Sequence, residues 1–184
     1  MTAAQRPWAA ELLHFWFHEL RPDQWFGRSA VVDAALQRRF ANELAFLGSR
    51  RAQEFLGDPL TARAAALLFD QVPRNLFRDS PAAFAHDPLA RAIARGIIAR
   101  RWDRGLSVAA RRFIYMPLMH SEHIADQRQC LRHFVALGDS FSLRFARAHY
   151  RMIARFGRFP HRNPVLGRES TAAERNAVAE GNAW

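Results

Sequence analysis

Three times in this chain an aspartate or serine, residues that cap helix N-termini, is followed at once by proline: Asp58-Pro59, Ser80-Pro81 and Asp87-Pro88. Proline lacks an N–H and carries a fixed φ, which suits the first turn of a helix, so each pair marks a helix start. Ser29, Ser107 and the box Thr171-Ala172-Ala173-Glu174 add further N-terminal signals. Apolar residues then recur at helical spacing: Val32, Leu36, Phe40, Leu44 and Leu47 after Ser29; Leu60, Ala64 and Leu67 after Asp58; Leu89, Ile93 and Ile97 after Asp87. No segment sustains an alternation of period two. The fold is therefore read as all-α, made of antiparallel helical hairpins.

Local chemistry also sets where helices should end. Pro73 disfavours helical geometry in the residue before it, so the helix opened by Asp58 is expected to stop by Val72. Pro117 is expected to kink or break the helix capped by Ser107. From Leu118 to Leu137 a stripe of His120, Ile124, Gln127, Leu131 and Phe134 continues the line of Phe113 and Met116. Past Gly138-Asp139, a long helix is expected to bury Phe141, Phe145, Ala148, His149, Met152 and Phe156, with Arg144, Arg147, Arg151 and Arg155 as a solvated ridge, and Gly157 should cap it. The first helix, from Pro7, is read as buried along Leu12, Leu13, Phe15, Trp16 and Phe17, with His14 and His18 on its polar side.

With 184 residues, 49% of them hydrophobic, the chain can bury one sizeable core, and it is read as one all-helical domain, 1–184. No window approaches the roughly 18 apolar residues of a membrane span. The only apolar run near the start contains Glu11, His14, His18 and Glu19, unlike a signal-peptide core, so a cytoplasmic location is expected. The single cysteine, Cys130, is read as an inert buried thiol. The net charge of +10 comes from 27 basic residues that are all arginine. They are spread along the chain, never more than two in a row, which argues for a compositional bias and against a nucleic-acid tract.

Two stretches concentrate polar side chains at expected helix ends. One runs from Arg155 to Thr171, four arginines, a histidine and an asparagine among two glycines and two prolines. The other is Asp70-Gln71-Val72-Pro73-Arg74-Asn75, whose Pro-Arg-Asn echoes Pro160-His161-Arg162-Asn163 and suggests two loops facing one cavity. Arginine's planar fork suits carboxylate or phosphate. The candidate binding residues are Asp70, Gln71, Arg74, Asn75, Glu122, Arg158, Arg162, Asn163 and Arg168. His120 and His161 are the candidate proton-transfer groups, because imidazole titrates nearest neutral pH. By the helical repeat Glu122 projects about 160° from His120 and should pair with an arginine or face water, while His123 could join His120. The bland reading is that these carboxylates and arginines lock loops to helices. No metal site is expected, the spacing of His120, His123 and His161 being uninformative. Ser121 lacks the context of a catalytic serine, and no glycine-rich phosphate loop or other cofactor signature is present.

Four ordered motifs carry a family likeness. They are Leu13-x-Phe15-Trp16-Phe17; Asp70-Gln71-x-Pro73-Arg74-Asn75-x-Phe77-Arg78; Phe113-Ile114-Tyr115-Met116-Pro117-Leu118-Met119-His120-Ser121-Glu122; and Phe156-Gly157-Arg158-Phe159-Pro160-His161-Arg162-Asn163 with Leu166-Gly167-Arg168-x-Ser170-Thr171. Together they resemble the uncharacterised bacterial family catalogued as domain of unknown function 924. The resemblance spans nearly the whole chain and implies a fold similar to tetratricopeptide-repeat proteins, a right-handed superhelix, although no consensus repeat of about 34 residues is readable. It implies no established activity. Ala177 to Trp184 departs from the pattern, lacking an apolar helical continuation.

Two functional readings follow: a pocket lined by arginine, asparagine and histidine for a small anionic ligand, with catalysis left open, or a helical scaffold that grips an acidic peptide or protein. The sequence does not specify the ligand or the oligomeric state.

Overall fold

The computed structural model describes residues 6–181, and among these no strand occurs. The helices are α1 (Pro7–His14), α2 (Ala30–Leu47), α3 (Pro59–Leu76), α4 (Asp87–Ala99), α5 (Val108–Met119), α6 (Ile124–Leu137), α7 (Ser140–Phe156) and α8 (Ala172–Ala179). The caps form as the sequence demands. Side-chain oxygens of Ser29, Asp58, Ser107 and Thr171 accept from the backbone N–H groups of Val32, Thr61, Ala110 and Glu174. Gly157 ends α7 in the left-handed conformation, φ 69°.

The chain divides into two compact units, residues up to Arg78 with Ala82–Gly105, and Asp79–Pro81 with Leu106 onward. In the first, α3 is the central helix, packed by α1, α2 and α4. It is buried from Thr61 through Pro73 except at Arg63. Leu60, expected on its apolar stripe, is 47% exposed at the helix entrance. After α1 the chain opens into one wider turn, Phe15–Glu19, with the N–H of Leu20 reaching the carbonyl of Phe15. Within that turn Phe15 and Trp16 are both buried, while His14 and His18 stay exposed with their rings stacked.

In the second unit α6 packs against both α5 and α7. Met152, Ile153, Phe159 and Ala177 form a core there, flanked by Ile124 and Phe156. Residues 182–184 of the divergent C-terminal stretch lie outside the described residues, and Ala177 of α8 is buried.

Four local expectations are corrected. Helix α3 does not stop at Val72 but runs through Pro73 to Leu76. Proline deletes one N–H from the ladder, and side chains help to serve the carbonyls beside the gap: Arg74 donates to the carbonyl of Asp70 and Asn75 Nδ2 to that of Gln71. Helix α5 likewise passes Pro117 and ends at Met119, and residues 120–123 are not helical. Gln127 explains the break. It is fully buried, and its amide donates to the carbonyls of Met119 and Ser121, both at 2.6 Å, which takes up acceptors a helix end leaves open. Asp87 is the first residue of α4, with His86 in the cap position, because its carboxylate is held by Arg74. Finally, α7 is rotated from the expected register: Ser142, Ala146, His149, Met152 and Ile153 are buried, and Phe141 is 46% exposed. Asp139 sets this rotation, accepting from Ser142 and ion-paired to Arg112 of α5.

Candidate functional site

The predicted site residues fall into both units, and each cluster is described in its own. In the first unit, Asp70 and Gln71 are buried, and Gln71 Nε2 donates to Asp70. Arg74 lies 2.9 Å from Oδ1 and 3.0 Å from Oδ2 of Asp87, and 3.5 Å from Asp70 Oδ1, with its guanidinium over the Phe84 ring. Burial opposes the charge of Arg74, but Asp70 and Asp87 outweigh it and raise its pKa. Asn75 links Gln71 to Arg78, which grips Asp33 through two bonds of 3.1 and 2.9 Å. This is a charge-matched lock, tying α3 to α2 and α4.

The second cluster is built differently. His120 caps the end of α5, His149 sits on the buried face of α7, and Gly157 turns the chain so that Phe159 packs on His149. Ring centroids are 6.1 Å apart for His120 and His149, 5.2 Å for His149 and Phe159, and 5.7 Å for Phe159 and His161. Arg162, only 6% exposed, places its guanidinium over the Phe159 ring at 4.5 Å. Two imidazoles, His149 and His161, and a buried guanidinium thus pack on one phenyl ring, with His120 behind His149.

Electrostatics disfavour the charged forms of His161 and His149. Burial, then the charge of Arg162, lowers His161 to about 4, with Glu122 pulling the other way. Burial likewise holds His149 well below the usual histidine range, helped by His120 and Arg162. His149 Nδ1 donates to the carbonyl of Phe145 at 2.9 Å, so Nε2 of the neutral ring is the nitrogen left with a lone pair.

Glu122 anchors the loop to this cluster. It binds Arg168 through contacts of 2.8 and 3.0 Å and accepts the Phe159 N–H at 2.8 Å. Although burial disfavours its charge, Arg168 and the Phe159 N–H lower its pKa. The pairing of Glu122 with an arginine of a neighbouring segment is as expected, whereas its direction comes from the non-helical turn and not from a helical repeat. Arg158 joins Glu174 instead, at 2.7 and 3.0 Å, and holds that carboxyl down to about 2, so it ties the loop to α8. Asn163 is completely buried; its Nδ2 donates to Ser170 at 3.0 Å, and its Oδ1 has no hydrogen-bond partner among the described residues. The Nε of Arg168 is likewise buried without a partner. His123 is exposed at the start of α6. Among the described residues no group of three histidine, cysteine, aspartate or glutamate side chains could hold a metal ion.

His149 was legible only as a core residue of α7. The available signal was a titratable side chain on an otherwise apolar face, which by itself does not distinguish a packed histidine from a working one. Cys130 is fully buried and its thiol pKa is pushed up, as an inert thiol requires.

The model of a family described as bacterial protein of unknown function (DUF924) matches residues 12–182. The chain belongs to this family. A solved structure, that of the protein of unknown function ATU0120 from Agrobacterium tumefaciens, is 39% identical. The similarity covers 98% of this chain and 100% of that one with a TM-score of 0.88. No curated protein matches the chain. No helix among the described residues is long and apolar enough to cross a membrane. In this DUF924 protein, then, the site rather than the family must supply the functional argument.

Proposed function

We propose that the second unit binds a small oxyanion, a carboxylate or phosphate, on Arg162 and Arg168, with His161 and His120 as the groups that exchange a proton with it. The observation that carries this reading is the gathering of His149, His161 and buried Arg162 on Phe159, with His120 next to His149 and Glu122 as the anion paired to Arg168. Histidines held neutral by burial and by a neighbouring cation become better proton acceptors when an anion compensates that cation. The unpartnered Nε of Arg168 offers a further donor, and the unpartnered Oδ1 of Asn163 an acceptor for a ligand hydroxyl. Arg74 has no part in this site, since Asp70 and Asp87 already hold its guanidinium.

Inorganic phosphate and small dicarboxylates, screened by thermal shift, test the reading. A ligand at about a hundred times its Kd adds about 2.7 kcal/mol of apparent stability, or roughly 5–10 °C in a chain of this size. The shift should vanish in Arg162→Gln. In the wild type, the same ligand should raise the NMR-titrated pKa of His161, a readout that does not depend on how well the variant folds. A set of oxyanions that moves neither Tm nor the histidine resonances would refute the proposal.

A further inference from the structure

We propose that the groove between α6 and α7 docks an acidic, amphipathic peptide segment of a partner protein. The groove is shallow and open to solvent, with a volume of about 760 Å³, and is lined by Ala125, Arg128, Leu131, Arg132 and Tyr150. Its lining combines an apolar floor, Leu131, Ala125 and the ring of Tyr150, with two arginines one helical turn apart on α6. The charge around it is one-sided. Helices α6 and α7 carry six arginines, Arg128, Arg132, Arg144, Arg147, Arg151 and Arg155, and among the described residues none of the six forms an ion pair. The nearby carboxylates are engaged elsewhere: Asp126 is fully buried and accepts the Ser121 hydroxyl, and Asp139 is held by Arg112 and Ser142.

The register of α7 places Arg147 about 60° around the helix from Tyr150, on the groove's shoulder, with the rest of the ridge further round. Apolar anchors in the groove would therefore be flanked by carboxylates facing Arg128, Arg132 and Arg147, the pattern of an amphipathic helix laid in a groove. Charge complementarity selects the acidic partner and makes its capture salt-dependent. A single-stranded nucleic acid fits less well, because stacking requires an aromatic side chain for each of several bases and Tyr150 is the one aromatic lining the groove. The site is separate from the histidine cluster and does not rest on the oxyanion proposal.

The test is fluorescence anisotropy on the full chain, with a labelled helical peptide about four turns long carrying leucines on one face and glutamates on the other. Polyglutamate of equal charge and oligouridylate serve as comparisons. The amphipathic peptide should bind at least about tenfold more tightly than either comparison, and about tenfold more weakly to Arg128→Glu/Arg132→Glu. Tyr150→Ala should weaken it severalfold. These substitutions lie at the groove surface, and circular dichroism confirms that each variant is folded. The proposal is overturned if the peptide does not bind, if the double variant binds it unchanged, or if polyglutamate or oligouridylate binds as tightly. The thermal response to phosphate should be unaltered in the double variant, so failure of one proposal leaves the other to stand or fall on its own.

Discussion

The two polar clusters begin from nearly the same words, Pro73-Arg74-Asn75 and Pro160-His161-Arg162-Asn163, and reach different chemistry. In the first unit every arginine of the cluster meets aspartate: Arg74 with Asp70 and Asp87, Arg78 with Asp33. In the second, Glu122 is matched to Arg168, while Arg162 is buried over Phe159 beside histidines whose protonation it opposes. The lesson is that a buried arginine tells little about function until the groups around it are known. Aspartates make it a clamp; neutral histidines make it a candidate site.

The contrast predicts a ranking of stabilities. Arg74→Met removes the cation shared by Asp87 and Asp70, the latter 1% exposed, and should cost about 3–5 kcal/mol, lowering Tm by roughly 10 °C. Arg162→Met should cost less than half as much, because it relieves the histidines while it removes a cation. Equal losses in thermal unfolding would make the second cluster a lock like the first.

The histidines give the next effect. Above pH 6.5 neither the folded nor the unfolded chain protonates them. Between 6.5 and about 4 the unfolded chain takes up a proton at His161 that the folded chain refuses, so stability falls as pH falls. The loss is on the order of 2 kcal/mol after solvent screening, and His149 adds to it in the same direction. Urea unfolding at pH 7 and pH 4.5 measures it, and His161→Phe should lose visibly less. A flat profile across this window would mean that His161 is not depressed.

Smaller effects test the frame that holds each cluster. Gln127→Leu leaves the carbonyls of Met119 and Ser121 without their donor and should cost about 1–3 kcal/mol. Thr171→Ala removes the cap of α8 and should cost about 1 kcal/mol, little enough to leave the histidine cluster's pH response intact.

What could be read in advance was short-range. Caps at Ser29, Asp58, Ser107 and Thr171, the stop at Gly157 and the all-α class rest on contacts within four residues, and those are present in the sequence itself. The reach of α3 through Pro73 and of α5 through Pro117 was not readable, because a proline's local penalty competes with burial and with side-chain donors. Of the site, His120, His161, Arg162 and Glu122 were visible as residue types near helix ends; that Glu122 meets Arg168 was visible only as a requirement for some arginine.

The amino-acid sequence by itself determined that this is a helical protein of the DUF924 family, where its helices begin, and which segments hold its polar side chains. Apart from the same-helix approach of Arg74 to Asp70, tertiary structure decided which arginine meets a carboxylate and which meets histidine. Those partners are 13 residues apart for Arg74 with Asp87, and 45 for Arg78 with Asp33. They are 46 apart for Arg168 with Glu122. No helical period or capping rule reaches so far. Only the packing of helices brings such groups together, and with them the local dielectric that settles whether a histidine carries a charge.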